Sequence, residues 1–333
     1  MKKGMALEQV AYAIIALVIL VVVATMFYRS GQGIWSTVET AFSSESRCLK
    51  SGEVVSTYKS DIAVLESTLS KESKDSSAYR EAQEKLGALY DEYHQCGFSE
   101  TLSLSPVAKL ALVGYYAAKG NTAAAIALYE EYLAQNKVTP DILNGLSDLY
   151  KLSGNDLKSL ATLRRIVAEN PDTKDAASAQ YRVGRYYEKK KDYTKAKEEY
   201  QKLLNGNYFS ELAEYAIAEI TFNNEKPAPY PSTLSGEQEK EVDTIYNRAR
   251  ASEKAEKYEE AIVHYRLLTS RYPTARQGVY AQYEIGHIYR QKKELDRAVV
   301  EFTRTPHYGS YGALAALELA QTKIDLKGIK KPI

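Results

Sequence analysis

The chain has 333 residues, with 44 Lys plus Arg against 43 Asp plus Glu and a formal net charge of +1. That length holds two ordinary domains or one elongated array. The charge balance excludes the basic surplus that drives nucleic-acid binding and the acidic tract of a solvating tail. Tyrosine outnumbers phenylalanine by 28 to 6. A ring with a polar tip suits thin helical layers with few fully buried side chains, and it suits a binding surface equally well.

Residues 1–35 read as a cytoplasmic stub and a transmembrane anchor. Val10 to Tyr28 carries no charge over 19 residues, about 28 Å of helix and enough to cross a hydrocarbon core of about 30 Å. Lys2 and Lys3 precede the run and Arg29 stands alone after it. This bias sets the N-terminus in the cytoplasm and residues from about 30 onward outside. The stretch Lys2-Lys3-Gly4-Met5-Ala6-Leu7-Glu8 resembles the class III signal of type IV pilins and archaeal pilin-like proteins. The resemblance implies cleavage between Gly4 and Met5, with Glu8 pairing with the new N-terminus of a neighbouring subunit. Glu8 stands fourth after Gly4, where that family has its acid fifth. An ordinary signal anchor, with Glu8 among the headgroups, is the other reading.

Residues 36–100 read as a helical hairpin, Val54 to Leu69 and Ser77 to Tyr93, turning at Ser70 to Asp75. Cys48 and Cys96 flank it symmetrically, so antiparallel folding brings them together at the open end. A disulfide there requires the oxidising compartment that an external location supplies. Two unrelated thiols in a reduced protein are the alternative.

From Ser105 the pattern is a succession of amphipathic helices, with Gly or Asn at their ends or Pro at their starts. The expected pairs are 106–119 with 121–135, 140–152 with 156–169, and 174–190 with 193–204. A lone helix, 210–222, follows, and Pro227, Pro229 and Pro231 then break the pattern. Two further pairs, 237–256 with 258–271 and 275–292 with 295–303, precede a last apolar helix, 309–326. This gives a first array at 101–225, a Pro-rich linker at 226–236, and a second array at 237–333 whose last helix is a cap. Each array is expected to be closed separately by its solitary helix.

The pairs resemble the tetratricopeptide repeat (TPR) family. First-helix signatures stand at Leu112-Val113 with Tyr116, Leu146-Ser147 with Tyr150, Val183-Gly184 with Tyr187, and Ile285-Gly286 with Tyr289. Second-helix signatures stand at Ala125 with Tyr129, Ala196 with Tyr200, Ala261 with Tyr265, and Ala298 with Phe302, and Pro171 and Pro273 fill the closing position. The segment Ala179 to Tyr187 returns as Ala281 to Tyr289, offset by 102 residues. Several such matches in phase identify a repeat architecture. The implied fold class is all-α, a TPR-type solenoid of antiparallel helix pairs on a single N-terminal transmembrane helix. The second array is similar to the TPR subclass of envelope proteins such as the outer-membrane assembly lipoproteins and the Tol-Pal coordinator family.

No Walker loop, His-Glu-x-x-His, Cys-x-x-Cys or Gly-x-Ser-x-Gly occurs, and His94, His264, His287 and His307 form no recognisable ligand set. No catalytic residue, metal site, cofactor, small-molecule substrate or nucleic-acid partner is expected. The family's binding face comes from first helices. That likeness picks out Tyr181, Arg185 and Glu188 in the first array and Tyr280, Tyr283, His287 and Arg290 in the second. Either these residues meet a peptide or partner helix, or the tyrosines pack against the next repeat. The expected function is a membrane-anchored scaffold that binds protein or peptide partners on the extracytoplasmic side, in envelope assembly or translocation. The alternative is a pilin-like subunit of a surface filament or secretion system with a TPR head.

Overall fold

The computed structural model describes residues 53–96 and 102–330. The expected membrane span, the processing signal at Gly4, Met5 and Glu8, and Cys48 lie outside the described residues. Among the described residues no helix is long and apolar enough to cross a membrane, and the regular elements are fourteen α-helices.

The chain divides into two compact units between Asn121 and Thr122. In the first, α1 (Glu53–Lys71) and α2 (Ser77–Gln95) form the hairpin. Tyr58 near the start of α1 meets Tyr93 near the end of α2 edge to face at 5.6 Å, which sets the two helices antiparallel. Ser76 caps α2 by accepting from the Tyr79 N–H. Helix α3 (Pro106–Ala118), expected to open the first array, lies in the core of this unit instead. The reason is local. The Gln83 amide donates to the Ala111 carbonyl at 2.8 Å, and Asp91 accepts from the hydroxyls of both Tyr115 (3.1 Å) and Tyr116 (2.5 Å). Gly87 faces the Tyr115 ring so closely that a Cβ there would lie 2.4 Å from it.

The second unit holds α4 (Thr122–Gln135), α5 (Pro140–Leu152), α6 (Asp156–Glu169), α7 (Lys174–Lys189), α8 (Tyr193–Gln201) and α9 (Ser210–Asn224). After the Pro-rich stretch come α10 (Gly236–Lys254), α11 (Tyr258–Arg271), α12 (Arg276–Gln291), α13 (Leu295–Thr303) and α14 (Gly309–Lys327). Asn155 caps α6, Thr173 caps α7, Asp192 caps α8, and Ser235 with Gln238 forms a capping box on α10. Between paired helices the chain turns through one left-handed residue: Gly154, Lys191, Glu256 or Lys293.

The repeat signature explains the packing within pairs. Ala196, Ala261 and Ala298 are fully buried, and Tyr200, Tyr265 and Phe302 fill the space beside them. Small residues on the first helices receive these rings. A Cβ on Gly184 would lie 2.4 Å from Tyr200, and one on Gly286 would lie 2.6 Å from Phe302. The 102-residue echo extends beyond the nine residues to a polar network. Gln180 donates to the Glu199 carbonyl and carboxylate while Arg164 pairs with that carboxylate at 3.6 Å. At the same offset, Gln282 donates to both groups of Glu301 while Arg266 pairs with it at 2.9 Å.

The two solitary helices do not close two separate arrays. They pack on each other. Lys323 of α14 donates to Glu214 of α9 at 2.7 Å, and Lys327 reaches back to Glu211, so the helices run antiparallel. Ile324 enters the same core as Leu212, Ala216 and Ile220. Each helix is apolar on more than one side, and this joint buries the side that its own array leaves uncovered. The Pro-rich stretch is likewise no free tether. The Gly309 N–H donates to the Ala228 carbonyl at 2.7 Å, the Ser232 and Thr274 hydroxyls hydrogen-bond, and Tyr230 covers Gly309, whose φ of +61° suits glycine.

Candidate functional site

An open groove of ≈ 710 Å³ runs over α5, α6 and α7, with Phe209 at one end. Tyr181, Arg185 and Glu188 all line it, because on a helix residues three or four apart share a face. Tyr181 is buried against Tyr200 at 5.3 Å and Phe209 at 5.6 Å, and burial raises its phenol pKa. Arg185 is exposed and pairs with Glu188 at 3.1 Å. Burial works against the Arg185 charge, but Glu188 together with Tyr200, Tyr181 and Glu219 offsets it and raises the pKa. Glu188 also accepts from the Tyr200 hydroxyl at 2.7 Å. Burial of the ring, and then that bond to a carboxylate, push the Tyr200 pKa far upward.

The sequence reading missed Phe209, Lys151 and Lys189, which also line this groove. Phe209 precedes α9 with φ +63°, a left-handed conformation for a bulky residue, and its side chain makes no capping bond. That conformation costs about 1–2 kcal/mol and persists where the surroundings over-determine it. Here it sets the ring on Tyr181. The available signal was the aromatic pair Tyr208-Phe209 directly before a helix start. Lys151 and Lys189 occupy the last turns of α5 and α7, where a cation is favoured by the helix dipole.

The second expected set has a different location. Tyr280 and Tyr283 are each only 7% exposed, covered by Tyr311 of α14 at 4.7 and 6.1 Å. Arg290 pairs with Glu318 and, at 3.1 Å, with Asp325, both on α14. His287 stacks on Tyr283 at 5.9 Å, and burial, then Arg290, lower its pKa against the opposing pull of Glu253. Tyr280, Tyr283 and Arg290 therefore hold helix α14, and His287 bears on Tyr283 of its own helix, so the set does not line an open face. Different residues at the same two positions accompany this. Tyr200 and Tyr265 each donate to a glutamate twelve residues earlier, Glu188 and Glu253. In the next repeat the ring is Phe302, without a hydroxyl, and Arg290 fills the glutamate position. With no phenol to answer, it turns to the α14 carboxylates.

Among the described residues no group of three or more His, Cys, Asp or Glu is placed to hold a metal ion.

Tetratricopeptide-repeat family models match residues 116–183, 177–205 and 243–275. No curated protein matches the chain. Among solved structures, a tetratricopeptide repeat protein from Parabacteroides merdae is 17% identical, over 80% of this chain and 99% of that one, with a TM-score of 0.35. YrrB, described as a TPR protein with an unusual peptide-binding site, is 12% identical over 68% of this chain and 93% of its own, with a TM-score of 0.29. The apo quorum sensor NprR from B. thuringiensis is 13% identical over 89% and 77%, with a TM-score of 0.32. At these scores the superpositions carry no argument about partners. The buried Ala and aromatic pairs and the three family matches agree: this chain carries tetratricopeptide repeats, across residues 116–205 and 243–275.

Proposed function

We propose that the chain is a non-enzymatic, membrane-anchored scaffold whose first array binds a protein or peptide partner outside the membrane. The observation that carries the binding role is the open groove in which Tyr181, Phe209 and Arg185 converge. Stacked helical repeats offer such surfaces to other proteins, and aromatic and arginine side chains supply most of the energy at protein interfaces. The uncharged run of residues 10–28 supports the anchor.

The antiparallel hairpin supports a Cys48–Cys96 bridge. Cys96 follows the end of α2, beside the start of α1, and Cys48 lies five residues before Glu53 in the sequence. A bridge of this kind belongs to an oxidising compartment. The pilin-like alternative rests on Gly4, Met5 and Glu8 and is separated by the mass of the mature N-terminus. A start at Met5 selects it, and a start at Met1 or Lys2 selects the signal anchor.

The binding role is tested by photo-crosslinking in cells, with the reactive side chain placed at Arg185 or at Val263, which is 65% exposed and outside the groove. The expected result is a discrete adduct from the Arg185 position alone. Equal labelling at both positions, or none at either, counts against a groove-bound partner.

A further inference from the structure

Resting on the scaffold reading, we propose that the groove over α5, α6 and α7 takes an acidic peptide segment with an aromatic or large aliphatic side chain. The segment is held through its side-chain carboxylates rather than its chain end.

Some charged groups lining the groove already have partners and others do not. Asp148 pairs with Arg182. Asp156 pairs with Lys190 at 2.8 Å, and Glu188 is shared between Tyr200 and Arg185. Each lining carboxylate is therefore engaged. Lys151 and Lys189 make no ion pair among the described residues. Both act on Asp156, whose pKa is lowered first by its hydrogen bond to Lys190 and further by these two charges. The unspent charge of the groove is positive, and a ligand carboxylate near Lys151 or Lys189 complements it.

Leu160 and Leu163 of α6 line the same groove as Tyr181 and Phe209, and such apolar lining is the kind of surface on which an inserted ring or branched side chain is anchored. The second array shows a related contact within the molecule. In the second array α14 lays Tyr311 on Tyr280 and Tyr283 and turns Glu318 and Asp325 to Arg290. Tyr181 and Tyr283 are equivalent at the 102-residue offset. At the same offset Tyr311 answers to Phe209, which already lies on Tyr181, and Arg290 answers to Glu188, so the first groove repeats the aromatic contact but not the carboxylate contacts of α14.

The test pans a random short-peptide display library on the full-length protein. Enriched peptides are then synthesised with amidated C-termini and titrated by fluorescence anisotropy. The variants are Tyr181→Ala and the double change Lys151→Glu with Lys189→Glu. Both lysines are exposed, so the double variant keeps its fold, which circular dichroism checks. The expected result is acidic, aromatic-bearing peptides that bind when amidated and weaken about tenfold or more in either variant. Peptides sensitive to Tyr181→Ala but neutral or basic, and unmoved by the lysine changes, overturn the inference and leave the scaffold reading standing. Binding abolished by amidation also overturns it, in favour of chain-end capture. Failure to enrich any peptide sensitive to Tyr181→Ala overturns both.

Discussion

Gln282 on α12 donates from one amide nitrogen to both the carbonyl and the carboxylate of Glu301 on α13, at 3.0 and 2.9 Å. The Glu301 side chain is 6% exposed and also pairs with Arg266 of the preceding helix pair. One carboxylate therefore links α11, α12 and α13. A buried hydrogen bond to a charged group contributes about 1.5–3 kcal/mol. Gln282→Leu is expected to lower unfolding stability by about that amount in urea titrations. Gln180→Leu should cost less, because its partner Glu199 is more exposed, at 12%. Unchanged midpoints for both would remove this network from any account of repeat cohesion.

Glu284 gives a prediction of opposite electrostatic character. It is 8% exposed, and burial, with Glu253 nearby, raises its carboxyl pKa despite the Tyr280 hydrogen bond and Arg250. A raised folded-state pKa means the fold favours the protonated form. That contribution is fully present below the unfolded carboxyl value and is lost as pH rises through the folded one. Glu284→Gln keeps the shape and removes the titration. The variant should match the parent in Tm at acidic pH and exceed it progressively toward neutral pH. A gap that stays constant with pH would show that Glu284 does not titrate with folding.

Gly286 and Gly236 are both helical, and their alanine variants should differ in sign. A Cβ at Gly286 would meet the buried Phe302 ring at 2.6 Å, whereas one at Gly236 would meet nothing within 4 Å. Overpacking a tight core costs about 1–3 kcal/mol, while Gly→Ala in an open helical position gains up to about 1 kcal/mol. Thermal unfolding of the two variants should move in opposite directions. A stabilised Gly286→Ala would mean that the aromatic ring can yield.

Arg290 is the main charged contact from α12 to α14. Arg290→Ala is expected to cost about 1 kcal/mol, the range of a partly exposed ion pair, and to raise amide exchange selectively in α14. Lys292→Ala serves as a control, because Lys292 pairs with Glu259 and Glu294 and not with α14. Equal exchange from the two variants would show that apolar packing alone holds the helix.

The helix pairs were legible in the sequence because their signals are local. Gly154 marks a left-handed turn openly, and Ala196 with Tyr200 or Ala298 with Phe302 marks a second helix. The turns at Lys191, Glu256 and Lys293 adopt the same left-handed conformation without glycine, since the paired helices on both sides impose it. The joint between α9 and α14 was not legible as a contact. Glu214 and Lys323 read as ordinary surface charges until the fold brings them together. Its trace was that both helices are apolar on more than one side, which a terminal cap does not need. Of the expected site residues, Tyr181, Arg185 and Glu188 share a helix and so share a groove. Phe209 comes from a different segment, and its place before α9 is marked only by the aromatic pair Tyr208-Phe209, which does not reveal the left-handed torsion that sets its ring.

Lys323 follows its partner Glu214 by 109 residues, so on the ribosome α9 emerges long before the helix that covers it. The apolar side of α9 must wait, solvated or shielded by another protein, until α10 to α14 have been made. A chain arrested before α14 leaves the contact between the arrays unmade rather than a frayed end. Such an intermediate leaves the core around Ile324 incomplete, a surface that invites chaperones or aggregation. Loss of the last helix should therefore be read out first as poor yield, before any loss of partner binding.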